Sequence, residues 1–127
     1  MYVLILIGIG GFIGSVFRYF ISGLIQNGVI SFPAGTMGVN IIGSFLLALT
    51  MYASEYQGFF TEETRIFLTI GVLGAFTTMS TFSYESFRLL ENNQLAFFGI
   101  NVAGTIFLSI AAIYLGKLIV GNLWGVM

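Results

Sequence analysis

The chain has 127 residues, 57% of them hydrophobic and only 7% charged, with a net charge of −1 and neither histidine nor cysteine. A soluble domain carries roughly a quarter charged residues to wet its surface, so this composition excludes one. It also excludes disulfides, thiol chemistry, histidine-bound zinc or haem, and a basic face for nucleic acid.

The charges stand at Arg18, Glu55, Glu62, Glu63, Arg65, Glu85, Arg88, Glu91 and Lys117, leaving uncharged runs over 1–17, 19–54, 66–84 and 92–116. A bilayer core takes about 20 mostly apolar helical residues. The run 19–54 is too long for one crossing and holds a turn region, Gln26-Asn27-Gly28 and Ser31-Phe32-Pro33. The pattern therefore predicts an all-α membrane protein with spans at 3–25, 33–53, 64–91 and 95–119, in one transmembrane domain covering 1–127.

The first span has no basic leader and no small-residue cleavage pattern, and it runs past Gly14 as a full-length helix, so it reads as a span and not as a secretory signal. Gly10-x-x-x-Gly14 and Gly11-x-x-x-Ser15 place small residues on one face, the arrangement that lets membrane helices approach closely. The run from Gly8 to Gly14 fails as a dinucleotide loop, because Ile13 occupies the third glycine position. Arg18, followed by Tyr19, lies about two-thirds of the way along this span. It reads either as a side chain snorkelling to the interface or as a fixed positive charge in an aqueous vestibule.

In the second span Pro33 suits the first helical position, where its missing N–H costs nothing. Asn40 follows within Gly35-Thr36-Met37-Gly38-Val39-Asn40. A neutral amide can hold an anion without trapping it, as conduction requires, or it can glue two helices together.

The third span is the most informative. Thr61 is placed to cap it, and Glu62 and Glu63 suit the positive end of its dipole. Two glycines and a hydroxyl cluster then fall at mid-membrane: Gly71-Val72-Leu73-Gly74-Ala75-Phe76-Thr77-Thr78-Met79-Ser80-Thr81-Phe82-Ser83-Tyr84-Glu85. Non-helical backbone survives at that depth only beside a cavity or other satisfying groups. The composition predicts a break near 74–78 whose freed carbonyls can bind a cation, with Ser80 and Thr81 forming a rail of donors. The competing reading is ordinary hydroxyl back-bonding in an intact helix. Glu85, one turn past Thr81, faces a vestibule or pairs with Arg88 or Arg18.

Orientation follows the cytoplasmic excess of Lys and Arg. Here the side holding both termini and the 54–64 loop has Arg65 and Lys117, while the other has Arg88 and, toward it, Arg18. That balance permits insertion both ways and hence an antiparallel dimer, unless Arg18 lies too deep to count. Four helices also enclose little interior, so oligomerisation is expected.

Together these residues resemble the small fluoride channels of the Fluc family, also known as CrcB proteins. The resemblance covers almost the whole chain. It rests on Gly10-Gly11-Phe12-Ile13-Gly14…Arg18-Tyr19, on Gly35-Thr36…Asn40…Gly43-Ser44-Phe45, and above all on Gly74-x-x-Thr77-Thr78-x-Ser80-Thr81-Phe82-Ser83-x-Glu85. It implies an antiparallel, dual-topology homodimer in the bacterial inner membrane, with two pores that passively export fluoride and relieve its toxicity. It implies a structural sodium ion at the dimer centre on backbone carbonyls matching Gly74 and Thr77. The anion would pass Asn40, Ser80 and Thr81 and the edges of two phenylalanines, which match position 79 and Phe82. Arg18 and Glu85 would stand at the vestibule. Position 79 departs from the family pattern by carrying Met where Phe is usual, and altered permeation with an intact fold is the expectation.

A small multidrug exporter of similar size is the alternative. Such a protein trades protons at a carboxylate in its first helix, where this chain has only Arg18. No nucleophile–base pair or metal cluster supports an enzyme.

Overall fold

A computed structural model describes residues 1–125. Among the described residues, four helices are long and apolar enough to cross a membrane. Helix α1 (Tyr2–Gln26) and helix α2 (Ala34–Gln57) are the first two. The third span, Glu62–Glu91, is composite. It starts as α3 (Glu62–Ile66), widens into a π-helical segment (Phe67–Leu73), makes one more turn (Gly74–Phe76) and resumes as α4 (Met79–Glu91). The fourth is α5 (Leu95–Trp124).

The ends are chemically marked. Gly58 closes α2 in the left-handed conformation with its N–H on Ser54 O at 2.9 Å, the usual glycine termination. The helix thus runs four residues past the expected end at 53, since nothing before Gly58 stops it. Pro33 sits just outside α2 at its cap position, one residue earlier than expected. Thr61 caps α3 by accepting the Thr64 N–H at 3.3 Å, with Glu62 and Glu63 in the first turn.

Packing is inverted relative to a soluble bundle. On α1 only Gly10 and Gly14 are buried, while Phe12, Leu24 and their neighbours face outward. Where lipid is as apolar as the core, helices associate by close approach of small residues. A methyl built at Gly10 would lie 2.8 Å from Phe67 O and 2.9 Å from Gly71 Cα, so α1 sits directly on the π-helical segment. Gly11, expected on a packing face with Ser15, has nothing within 4 Å. The successive positions point apart, and only the Gly10–Gly14 stripe is used. Along α2 and α5 a second close contact joins Gly116 to Ala48 and the Phe45 carbonyl.

The α1–α2 turn is tied by one side chain. Gln26 Nε2 donates to Phe32 O at 2.9 Å and to Val29 O, and Gln26 Oε1 accepts from Gly35 N at 2.9 Å. At about 1 kcal/mol for each of the three bonds, Gln26→Ala is expected to lower stability by about 3 kcal/mol, read as a lower midpoint of thermal unfolding in detergent. An unchanged midpoint would show that the turn holds without its tie.

Candidate functional site

Asn40, in the first third of α2, reaches the interruption of the third span. Its Oδ1 accepts the Thr78 N–H at 2.8 Å, and its Nδ2 donates to Thr78 O at 3.0 Å. The amide thus pairs with one residue as a neighbouring strand would. Thr77 and Thr78 are correspondingly extended, with ψ of 159° and 116°. Thr78 Oγ1 then caps α4 by accepting the Thr81 N–H at 3.2 Å.

These bonds have a consequence one turn back. In a continuous helix the Thr78 N–H would serve Gly74 O and the Thr81 N–H would serve Thr77 O. Here both donors go to side chains, Asn40 and Thr78. Thr77 O receives instead a long contact from Arg18 Nη1 at 3.4 Å, which leaves a lone pair free. Gly74 and Thr77 both line a cavity of about 440 Å³, together with Asn40, Met79 and Phe82. Its chemistry suits a hard cation, for which neutral carbonyl oxygens are natural ligands.

The expected site residues fall into two groups. Asn40, Met79 and Phe82 share that cavity, with Met79 71% exposed and Phe82 buried at 7%. Thr81 and Arg18 line a second cavity with Ser15, Tyr19 and Thr78. Thr78 borders both, and the α4 N-terminus lies between them. Ser80 is exposed, 3.4 Å from Thr78 Oγ1. Of the two readings of Asn40 the geometry realises helix glue first. Its Oδ1 and one N–H are spent on Thr78, and the second N–H is left for a ligand.

Glu85 does not form the ion pair expected of it with Arg88 or Arg18. Arg88 bonds Glu91 at 3.0 Å on the exposed face of α4. Glu85 turns inward, with Oε2 buried and unpartnered among the described residues, and lines a third cavity with Ser22, Gln26 and Thr36. Those three residues also border the Arg18 cavity, so the two charges occupy adjoining recesses.

Sequence reasoning missed the contribution of α5. Thr105 and Ser109 line the Asn40 cavity, and Asn101 is buried one turn before them. A polar residue every fourth position along an apolar helix was the available signal. Ser44, whose Oγ donates to Asn40 O at 2.7 Å, likewise carries no signal in the sequence beyond its place after Gly43.

Four apolar spans, with neutral polar groups gathered where one of them is interrupted, define a multi-pass membrane protein. Residues 5–117 match the family described as CrcB-like protein, Camphor Resistance (CrcB), and the chain belongs to that family. It is 63% identical over 123 residues to "Fluoride-specific ion channel FluC 1" of Methanosarcina acetivorans, covering 97% of this chain and 94% of the relative. It is 60% identical over 117 residues to "Fluoride-specific ion channel FluC 3" of Methanosarcina barkeri, covering 92% and 89%. With "Fluoride-specific ion channel FluC" of Methanococcus vannielii it shares 46% over 119 residues, covering 94% and 96%.

Proposed function

We infer that this chain is a passive, fluoride-selective channel, in keeping with its family and with the names its relatives carry. The observation that carries this reading is the Asn40–Thr78 clasp, which opens the third span at mid-membrane and leaves hydroxyls and one amide N–H facing cavities. Fluoride is small and tightly hydrated. A path that strips its water must return many partial donors, none strong enough to stall it. Asn40, Ser80 and Thr81 supply neutral donors, and the Phe82 ring adds a positive C–H edge. Arg18 raises the local anion concentration without sitting on the path.

The working unit is a homodimer of antiparallel, dual-topology protomers in the inner membrane. Two features support it: the balanced Lys and Arg count, and a cavity that one protomer leaves open beside the exposed Met79. Gly74 and Thr77, whose carbonyls lose their helical donors, would hold a sodium ion at the dimer centre. When bound, that ion supplies a fixed positive charge and ties the two interruptions together. This reading makes the chain a conduit and not an enzyme.

Purified protein in liposomes loaded with fluoride, under a potassium-ionophore shunt, is expected to release fluoride within seconds to minutes and to retain chloride. Equal leakage of both ions, or proton-coupled movement of cationic drugs, would overturn the reading. Met79 offers a thioether and no ring edge. Met79→Phe is therefore expected to raise the efflux rate, by about threefold to tenfold if one ring contact is worth about 1 kcal/mol. A rate no higher than that of the parent would remove any role for a ring there.

A further inference from the structure

Because the backbone is extended at Thr77 and Thr78, α4 is not a helical continuation of the segment before it. Helical hydrogen bonds therefore do not carry rotation through from the first half of the span, and beyond the Asn40 clasp on Thr78 at its start the placement of α4 comes from its own side chains. Its buried face is Phe82, Ser86 and Leu89. Phe82 and Leu89 make apolar contacts, which tolerate sliding against a neighbour. Ser86 does not. Its Oγ accepts from Asn101 Nδ2 on α5 at 3.0 Å and donates to Phe82 O at 2.7 Å. Asn101 is 1% exposed and Ser86 is 6% exposed. The pair is also incomplete, since Asn101 Oδ1 is buried with no partner among the described residues. A half-satisfied buried amide adds little stability over an apolar residue of the same shape. What such a group does add, as in coiled coils with one buried asparagine, is a single allowed register.

We propose that Asn101 and Ser86 are positioning residues that lock the register of α4 against α5, and so set where Phe82, Thr81 and Met79 stand along the anion path. The proposal rests on the channel reading for its consequence, but not for its structural content. The chain runs Asn101 Nδ2, Ser86 Oγ, Phe82 O, so the lock ends on the backbone of the pathway residue itself. Loss of the lock lets α4 turn or slide. The donors are then smeared along the path, and discrimination by fit suffers together with rate.

The test compares Ser86→Thr with Ser86→Val, two side chains of one shape that differ in the hydroxyl. Interhelical hydrogen bonds in membranes shift equilibria by roughly threefold to tenfold. Ser86→Thr is expected to keep parental fluoride efflux and fluoride-over-chloride selectivity, and Ser86→Val to lose roughly threefold to tenfold in both. Asn101→Val should match Ser86→Val, and the double variant should be no worse than either single one. Equal behaviour of the Thr and Val variants, or losses that multiply in the double variant, would overturn the lock. Amide hydrogen exchange over 79–91 separates this from failure of the channel reading. If the parent passes no fluoride at all, the Val variant should still exchange faster there than the Thr variant, and equal exchange would refute the proposal on its own terms.

Discussion

Asn40→Ala is expected to cut fluoride efflux by about a hundredfold while the four spans remain inserted. The amide makes two bonds to the backbone of Thr78, in a stretch where water is not at hand to replace them. Each unsatisfied backbone group in the hydrocarbon region costs several kcal/mol. A barrier rise of about 3 kcal/mol corresponds to about two decades in rate. The backbone would escape that cost by closing: the Thr78 N–H returns to Gly74 O, the helix runs through, and the cavity between the halves fills. Thus the variant is expected to stay folded and to lose the path. Asn40→Asp separates the amide's two jobs. It can still accept from the Thr78 N–H, but it loses the donor to Thr78 O and sets a negative charge against an anion. Its efflux should be no better than that of the alanine variant. Initial efflux rates per mole of protein, with elution volume as the check on folding, decide the matter. Efflux within about threefold of the parent in Asn40→Ala would mean that the interruption holds itself open, because one ordinary hydrogen bond is worth about that factor or more.

Much of this was legible in the residues. Four uncharged runs set the number of crossings, because a bilayer admits no other way to satisfy that much apolar backbone. Boundaries were read within a few residues wherever a residue names its own end. Thr61 caps α3 as expected. Gly58 marks the end of α2 in the same way, four residues beyond the end that hydropathy alone suggests. Asn40 stands out as a lone amide in an apolar span, but the sequence does not show its partner. Asn40 and Thr78 lie 38 positions apart, and nothing in a single chain announces that an amide will meet a backbone at that distance. The same holds for Glu85, whose nearest charges in sequence suggested an ion pair. Arg88 lies three positions on, yet it points to Glu91 on the outer face of α4. Side chains three apart on a helix are neighbours, but whether they pair depends on which of them the bundle turns inward.

The π-helical segment was equally illegible, and it bears on the largest structural effect expected. Gly14 of α1 is so close to Val72 that a methyl there would overlap the Val72 carbonyl oxygen. Gly10 and Gly71 meet one turn away, with a methyl on Gly71 lying 3.0 Å from Gly10 Cα. The obstacle in each case is backbone, which cannot rotate aside as a side chain end can. Gly14→Ala must therefore push α1 off the third span or distort the segment Phe67–Leu73. Overpacking costs about 1–3 kcal/mol where side chains can yield, and the upper end or beyond is expected here. Gly8 lies on the same helix with nothing within 4 Å, so Gly8→Ala keeps the packing and gains helix propensity of up to about 1 kcal/mol. The two alanines, six residues apart, should thus move the unfolding midpoint in detergent in opposite directions, for a difference in stability of about 4 kcal/mol. Arg18 lies one turn beyond Gly14, and its contact with Thr77 O depends on the same seating of α1. Gly14→Ala should for that reason also slow fluoride efflux in any protein that still inserts. A Gly14→Ala protein as stable and as conductive as Gly8→Ala would mean that α1 does not rest on Val72 in the membrane.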